Sequence, residues 1–409
     1  MDNNKKPLLN ANLAWFLVAM ILANIAGQMA YTNLSLYMIE LGAKITQVGL
    51  VFTVASLVPL ALQIFGGWLS DTIGRLRVIA LGSSVAVFGY LIFSVAPSWV
   101  WVLIGLSVEY VSNSMVGPSF NSYISEQSDE TQRGRVFGTV SGLYMVVTVI
   151  GPALGGFLAH RFGFQPMLRV AFFFYLAATL LRIWMATRER FEAKKDAARP
   201  TFSSFGRELA SMLGLLVGGG ILTWIWLTDA LGDMSFNMID QLTPIYLSDL
   251  GGLNVEQIGY INAARGIAVI LSAPLAGWLV DKASEKATIA LGFALTTAAL
   301  IQLVLAQTFL GFGFAMALFG LGTGALMPGY NSLVSKVVPE NKRGLAFGLF
   351  GTTLGILSLP FPWIGAQLWE RVAPQAPYFV VIIACLISIP IAWAKFGVKK
   401  EETGAVIGE

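Results

Sequence analysis

Gly67-Trp68-Leu69-Ser70-Asp71 returns 210 residues later as Gly277-Trp278-Leu279-Val280-Asp281. The recurrence is not isolated. Ile79-Ala80-Leu81-Gly82 comes back as Ile289-Ala290-Leu291-Gly292. Pro118, Asn121-Ser122, Arg133-Gly134, Phe137-Gly138, Pro152 and Gly155 come back as Pro328, Asn331-Ser332, Arg343-Gly344, Phe347-Gly348, Pro362 and Gly365. The offset hardly drifts over more than a hundred residues, so the chain is an apolar half-protein duplicated in tandem. In a membrane chain such a repeat implies two helical bundles with a solute site between them.

The surroundings of the repeat are those of lipid. Of 409 residues, 56% are hydrophobic and 12% charged, against about 25% charged in soluble domains, and the mean hydropathy is +0.71. A single water-soluble core cannot hide that much apolar surface. The net charge of +3 gives no footprint for nucleic acid. Cys385 is the sole cysteine and precludes an intramolecular disulfide. No Cys/His cluster is present, so neither metal nor cofactor is expected. Lys5 and Lys6 precede about 24 mostly apolar residues without a small-residue cleavage site, which reads as a first spanning helix and not a removable signal.

Segments of roughly 17–25 apolar residues suffice to cross a bilayer, and twelve are expected. The first six cover about 13–36, 46–70, 78–96, 99–123, 135–159 and 164–186, and the second six about 217–247, 255–280, 287–306, 309–335, 344–369 and 375–396. The organisation is therefore an N-terminal six-helix bundle (1–186), a basic cytoplasmic linker (187–216) whose end, about 203–213, suits a short surface helix, and a C-terminal six-helix bundle (217–409). With both termini in the cytoplasm, 20 of the 26 basic residues fall on that side and only Lys44, Arg161 and Arg371 outside. That asymmetry is the positive-inside pattern.

Twelve spans, a six-plus-six repeat and a basic central loop resemble the major facilitator superfamily, most closely its 12-helix drug and metabolite:proton antiporters. The loop after span 2 reads Gly67-x-x-x-Asp71-Thr72-x-Gly74-Arg75-x-Arg77 and is similar to that superfamily's cytoplasmic motif, with Thr72 where a basic residue is usual. Its second copy keeps Gly277 and Asp281 and lacks the second glycine. The resemblance implies an all-α membrane fold of two pseudo-symmetric bundles and a gating role for Gly67, Asp71, Gly74, Arg75, Arg77 and Asp281. Asp71 would dock at the start of span 11 near Gly344, where the helix dipole favours an anion, and Arg75 would meet Glu126 or Asp129. The alternative is a tight turn with solvated charges. Span 5 carries Gly138, Val147, Gly151, Pro152, Gly155 and Gly156, similar to the glycine motif of superfamily antiporters except for Val147. Small residues permit close helix crossing, and the proline a kink.

Acids inside spans are costly unless they face a cavity or a partner. Span 7 holds Asp229, Asp233 and Asp240. At about 100° per residue these lie within roughly 40° of one another, with Asn237 beside them. Asn24, Gln28 and Tyr31 of span 1 map onto Asp233, Asn237 and Asp240 at an offset of 209. The resemblance implies that spans 1, 4, 7 and 10 line the cavity, which adds Glu109 and Asn113 from span 4 and Tyr330 and Asn331 from span 10. Asp233 and Glu109, then Asp229, are the best candidates to load and release a proton. Arg265 in span 8 is the natural countercharge for one of the aspartates, and a permanent pair with Asp233 or Asp229 is the structural alternative. Asp240 lies nearer the outer end, as a gate or helix-end acid.

These residues point to a proton-coupled secondary transporter, expected as a monomer in a cell (inner) membrane, that exports small lipophilic or cationic compounds. Uptake of a sugar or other organic solute is the alternative, since Asn24, Gln28, Asn113 and Asn331 suit hydroxyl groups. No Gly-x-x-x-x-Gly-Lys-Ser/Thr phosphate loop and no nucleophile–base constellation speak for a pump or an enzyme.

Overall fold

The computed structural model describes residues 10–130, 132–189, 220–338 and 343–397; the side chains at 61, 63–68, 71, 344 and 345 fall outside that description. The expected surface helix at 203–213 and most of the linker also lie outside it. Sixteen helices occur among the described residues. They are α1 (Ala11–Tyr31), α2 (Leu34–Glu40), α3 (Ile45–Ala55), α4 (Leu57–Ile73), α5 (Arg75–Val95), α6 (Trp99–Gln127), α7 (Arg133–Phe162) and α8 (Phe164–Arg188), then α9 (Ile221–Asp240), α10 (Thr243–Asp249), α11 (Val255–Lys282), α12 (Glu285–Leu305), α13 (Phe309–Val337), α14 (Arg343–Ser358), α15 (Phe361–Arg371) and α16 (Ala376–Lys395).

Side-chain caps start several of them. Asn10 accepts from the Leu13 amide at 2.7 Å. Asn254 and Gln257 form a reciprocal capping box at α11, and Thr308 accepts from the Gly311 amide at 3.1 Å. These bonds occupy amide donors that a helix start leaves open. Gly74 and Gly163 are one-residue joints between α4 and α5 and between α7 and α8, with φ of 99° and 89°. Side chains with a Cβ rarely adopt that region, so Gly74 has a backbone reason to stand in its motif.

Among the described residues, ten helical segments are long and apolar enough to cross a membrane, one of them, Ala346–Arg371, running through α14 and α15. Two expected spans miss that standard. The second is divided at Ser56 into α3 and α4, and the seventh, α9, contains three carboxylates. The first and seventh expected spans also break, at Thr32–Asn33 and at Gln241–Leu242, and the eleventh breaks at Leu359–Pro360. Phe88, Phe173, Leu275 and Leu310 are each more than 60% exposed. Such an outward apolar surface is lipid-facing in a bilayer and an aggregation hazard in water.

The chain divides into two compact units, residues 1–43 with 54–200, and residues 44–53 with 201–409. In the first unit α1 packs on α7 and α8, α4 on α6, and α5 on α6 and α8. In the second, α9 packs on α14, α15 and α16, α11 on α13, and α12 on α13 and α16. Each of these pairings of one unit thus has its counterpart in the other. Residues 44–53 belong with the second unit through α15: the Thr46 amide donates to Glu370 at 2.9 Å, the Trp363 amide donates to Thr53 at 3.2 Å, and Gly49 abuts the Pro362 carbonyl. An inner cluster of the first unit gathers Leu13, Phe16, Leu17, Met20, Ile79 and Tyr123, with the Phe16 and Tyr123 rings 4.6 Å apart.

Close approach is repeated atom for atom. A Cβ on Gly155 of α7 would stand 3.0 Å from the Met29 carbonyl oxygen of α1, and one on Gly365 of α15 would run into that of Met238 in α9. Gly82 and Gly292 likewise lie against the Ser112 and Gly322 carbonyls. Gly151 seats on the Cβ of Gln28. Gly138 departs from the expectation, because a Cβ there meets nothing within 4 Å, so it makes no close crossing. The helix α7 runs on through Pro152 without interruption. Gly365→Ala should therefore destabilise the purified protein by about 1–3 kcal/mol through overpacking, seen as a lowered Tm in detergent. Gly138→Ala should leave Tm unchanged.

Candidate functional site

In the second unit α9 carries the acidic stripe. Asp233 accepts a hydrogen bond from Ser358 Oγ at 2.5 Å, at the last turn of α14. The Asn237 amide donates back to the Asp233 carbonyl at 2.9 Å. Nearer the helix start, Trp226 Nε1 donates to Thr353 Oγ1 at 2.8 Å and Tyr330 Oη donates to Thr228 Oγ1 at 2.9 Å. Neutral hydroxyls from α13 and α14 therefore meet this helix. Asp229 is partly buried on the same face.

Arg265 finds its countercharge at the far end. Its Nη1 lies 3.5 Å from Asp240 Oδ1, and Gln241 Nε2 donates to Asp240 at 3.1 Å. Arg265 thus pairs with Asp240, and not with the Asp233 or Asp229 envisaged as its partner. The cause is depth. The α9 residues recur on one face, but Arg265 of α11 reaches only the end at which α9 breaks. The pair lines a cavity of roughly 240 Å3 with Phe236, Asn237, Phe319 and Thr323.

In the first unit Glu109 accepts from the Asn113 amide at 2.8 Å, one turn on in α6. Asn24 donates to the Met20 carbonyl of its own helix at 2.9 Å. Gln28 is held at the α1–α7 crossing by Gly151. Tyr31 and Asn113 are exposed, and so is Asn331 on α13. Ser358 and Thr353 went unnoticed in the sequence; the signal was three hydroxyls, Thr352, Thr353 and Ser358, in an otherwise apolar run before Pro360.

The loop motif has its own geometry. Arg75, the first residue of α5, pairs with Glu126 of α6 at 3.1 Å and donates to buried Ser70 at 3.0 Å. Glu126 is one of the two acids expected there. Of Gly67, Asp71 and Gly344 only the helical backbone is described. Arg77 is exposed, and so is Asp281 at the end of α11. Beyond α8, burial and then the Glu126 charge push the Glu189 carboxyl up, while Arg77 pulls it back.

The second unit repeats this contact with the charges exchanged. Positions 75 and 126 correspond at an offset of 210 to Glu285 and Lys336, which form an ion pair, and Ser332 donates to Glu285 at 2.9 Å. Glu285 is 6% exposed and opens α12, where the helix dipole favours an anion. The second copy, which lacks the second glycine, thus keeps an ion pair at this place with opposite sign.

These features define a class: a multi-pass α-helical membrane protein built from two equivalent helical units with carboxylates inside its spans. Residues 16–254 and 251–409 match the family model of the Major Facilitator Superfamily. The chain belongs to the Major Facilitator Superfamily and is a transporter of that kind. It is 27% identical over 359 residues to a protein named multi-drug resistance efflux pump PmrA homolog of Lactococcus lactis, covering 86% of this chain and 85% of that one. It is 24% identical over 413 residues to the multidrug resistance protein MdtG of Citrobacter koseri, covering 97% of each. Among solved structures it is similar to a peptide transporter POT in complex with sulfate, with a TM-score of 0.75, 12% identity and 95% of each chain covered. That likeness concerns the fold.

Charge exchange supplies a test of the paired contacts. Glu285→Lys or Lys336→Glu alone should lower the Tm, and the double exchange should restore it. The coupling energy should be about 1 kcal/mol, since Lys336 is half exposed. A double variant no more stable than the singles would contradict the pairing.

Proposed function

We propose that the chain is a proton-coupled exporter of small lipophilic or cationic compounds that works by alternating access. The observation that carries this reading is the division of labour along α9. Arg265 is engaged by Asp240, whereas Asp233 is held by the hydroxyl of Ser358. A hydroxyl adapts to either state of a carboxyl, donating to it when ionised and accepting from it when protonated. Asp233 is therefore placed to exchange a proton for a substrate cation, with Glu109 and then Asp229 as further carriers. Multidrug efflux relatives in several bacteria support export. One amide N–H of Asn24 and one of Asn113 are already occupied by Met20 and Glu109, which weakens the case for a sugar.

The distribution of basic residues supports a topology with both termini in the cytoplasm and the chain in an inner membrane, where a monomer is sufficient for the cycle. On this orientation the pair of Arg75 with Glu126 lies at the cytoplasmic ends of α5 and α6 and belongs to the gate.

Reconstitution into liposomes with an imposed pH gradient tests the coupling. With one proton exchanged per substrate, one pH unit is worth about 1.4 kcal/mol, a roughly tenfold accumulation of a cationic dye under zero membrane potential. Asp233→Asn and Glu109→Gln should each abolish that accumulation while dye-for-dye exchange persists. Normal gradient-driven accumulation in both variants would refute the assignment, and a response to sugars alone would favour uptake.

A further inference from the structure

The cavity at the end of α9 holds more than an ion pair. The Arg265 guanidinium lies 5.0 Å from the Phe319 ring centroid, within range of a cation–π contact. Phe236 meets the same ring edge-on at 5.8 Å. Leu300, Leu303 and Met316 close the apolar side. Thus an aromatic face, a carboxylate and an apolar wall converge on a delocalised planar cation, and the cation belongs to the protein.

That cation is loosely held. The Arg265–Asp240 distance of 3.5 Å exceeds the roughly 2.7–2.9 Å of a strong charge-assisted bond. The two side chains are 32% and 39% exposed, so the guanidinium can leave for water without losing a buried partner. We propose that the cavity is a binding site for a small aryl amidinium or aryl guanidinium cation, with Arg265 as its resident stand-in on Phe319 and Asp240 until the ligand displaces it.

The chemistry favours this occupant over others. Exchanging one planar cation for another preserves the charge balance with Asp240 and the contact with Phe319. What the ligand adds is an aromatic ring against Leu300, Leu303 and Met316. The volume of roughly 240 Å3 lies below the ~300–1,000 Å3 of drug-sized pockets, which limits the ligand to a compact molecule such as benzamidine. An anion would face the Asp240 carboxylate and the negative faces of the rings. The inference deepens the export reading by naming a cation subclass, and it rests on that reading for its transport role.

The test uses the full chain in lipid nanodiscs and benzamidine binding by calorimetry, with benzoate as the anion of the same shape. If Arg265 occupies the place nine-tenths of the time, Arg265→Gln should raise benzamidine affinity about tenfold, because the competent fraction rises from one tenth to all. Adding Asp240→Asn or Phe319→Leu to that variant should remove the gain. In the unmodified chain benzamidine should bind better than benzoate, a result that depends on no variant. An unchanged or lower affinity in a folded Arg265→Gln protein overturns the proposal, as does benzoate binding that is lost with Arg265. Dye export by the unmodified chain is read in parallel liposomes. Export without benzamidine binding sinks the site alone, whereas binding without gradient-driven transport supports the site and sinks the export reading.

Discussion

In a bilayer, apolar side chains gain nothing by turning from lipid to protein, so helices stay together only where their atoms interlock. The structure meets that constraint with glycines set against carbonyl oxygens of neighbouring helices. Gly155 against Met29 and Gly365 against Met238 bring backbones into contact at the same place in each unit. Because both contacts hold the helix that bears the polar stripe, α1 in one case and α9 in the other, the positions of the candidate side chains on those two helices follow from them. Gly82 and Gly292 do the same for α5 on α6 and α12 on α13.

The site inherits its character from where the helices stop. The α9 helix ends at Asp240 and resumes at Thr243, and α1 ends at Tyr31 and resumes at Leu34. At such a break backbone groups leave the regular ladder, and polar side chains gather to satisfy them. Thr243 donates to the Ile239 carbonyl, and Asn33 donates to that of Met29. Asp240 therefore sits at a natural concentration of polarity, where Arg265 reaches it. Asp233, two turns earlier, lies within a regular helix and relies on Ser358.

The repeat, the helical class and the family were legible in the sequence because many letters recur at one offset, and four of them, Gly82, Gly155, Gly292 and Gly365, sit at close crossings where a side chain would move a backbone. Facing along a helix was legible too, since the 100° rotation per residue puts Asp229, Asp233 and Asp240 on one stripe. Partners were not. Which acid Arg265 meets depends on the heights of α9 and α11, and periodicity says nothing of height. The breaks at Ser56, Gln241–Leu242 and Leu359–Pro360 each have a proline within a turn, Pro59, Pro244 and Pro362, which removes the amide that would continue the helix, whereas the break at Thr32–Asn33 has no such signal. Gly138 was misread because a glycine that matches a motif looks the same in sequence whether or not a neighbour touches it. The Glu285–Lys336 pair went unnoticed because a search for like letters is blind to a pair whose members have traded signs.

That trade has a consequence for how such proteins diverge. Arg75 and Glu126 lie in one unit, Glu285 and Lys336 in the other, so each pair is self-contained. After duplication, either copy was free to invert its polarity without consulting its sibling, provided both members changed together. Lineages of this architecture should accumulate correlated double replacements at such positions, and the two copies can carry opposite local potentials on an unchanged scaffold.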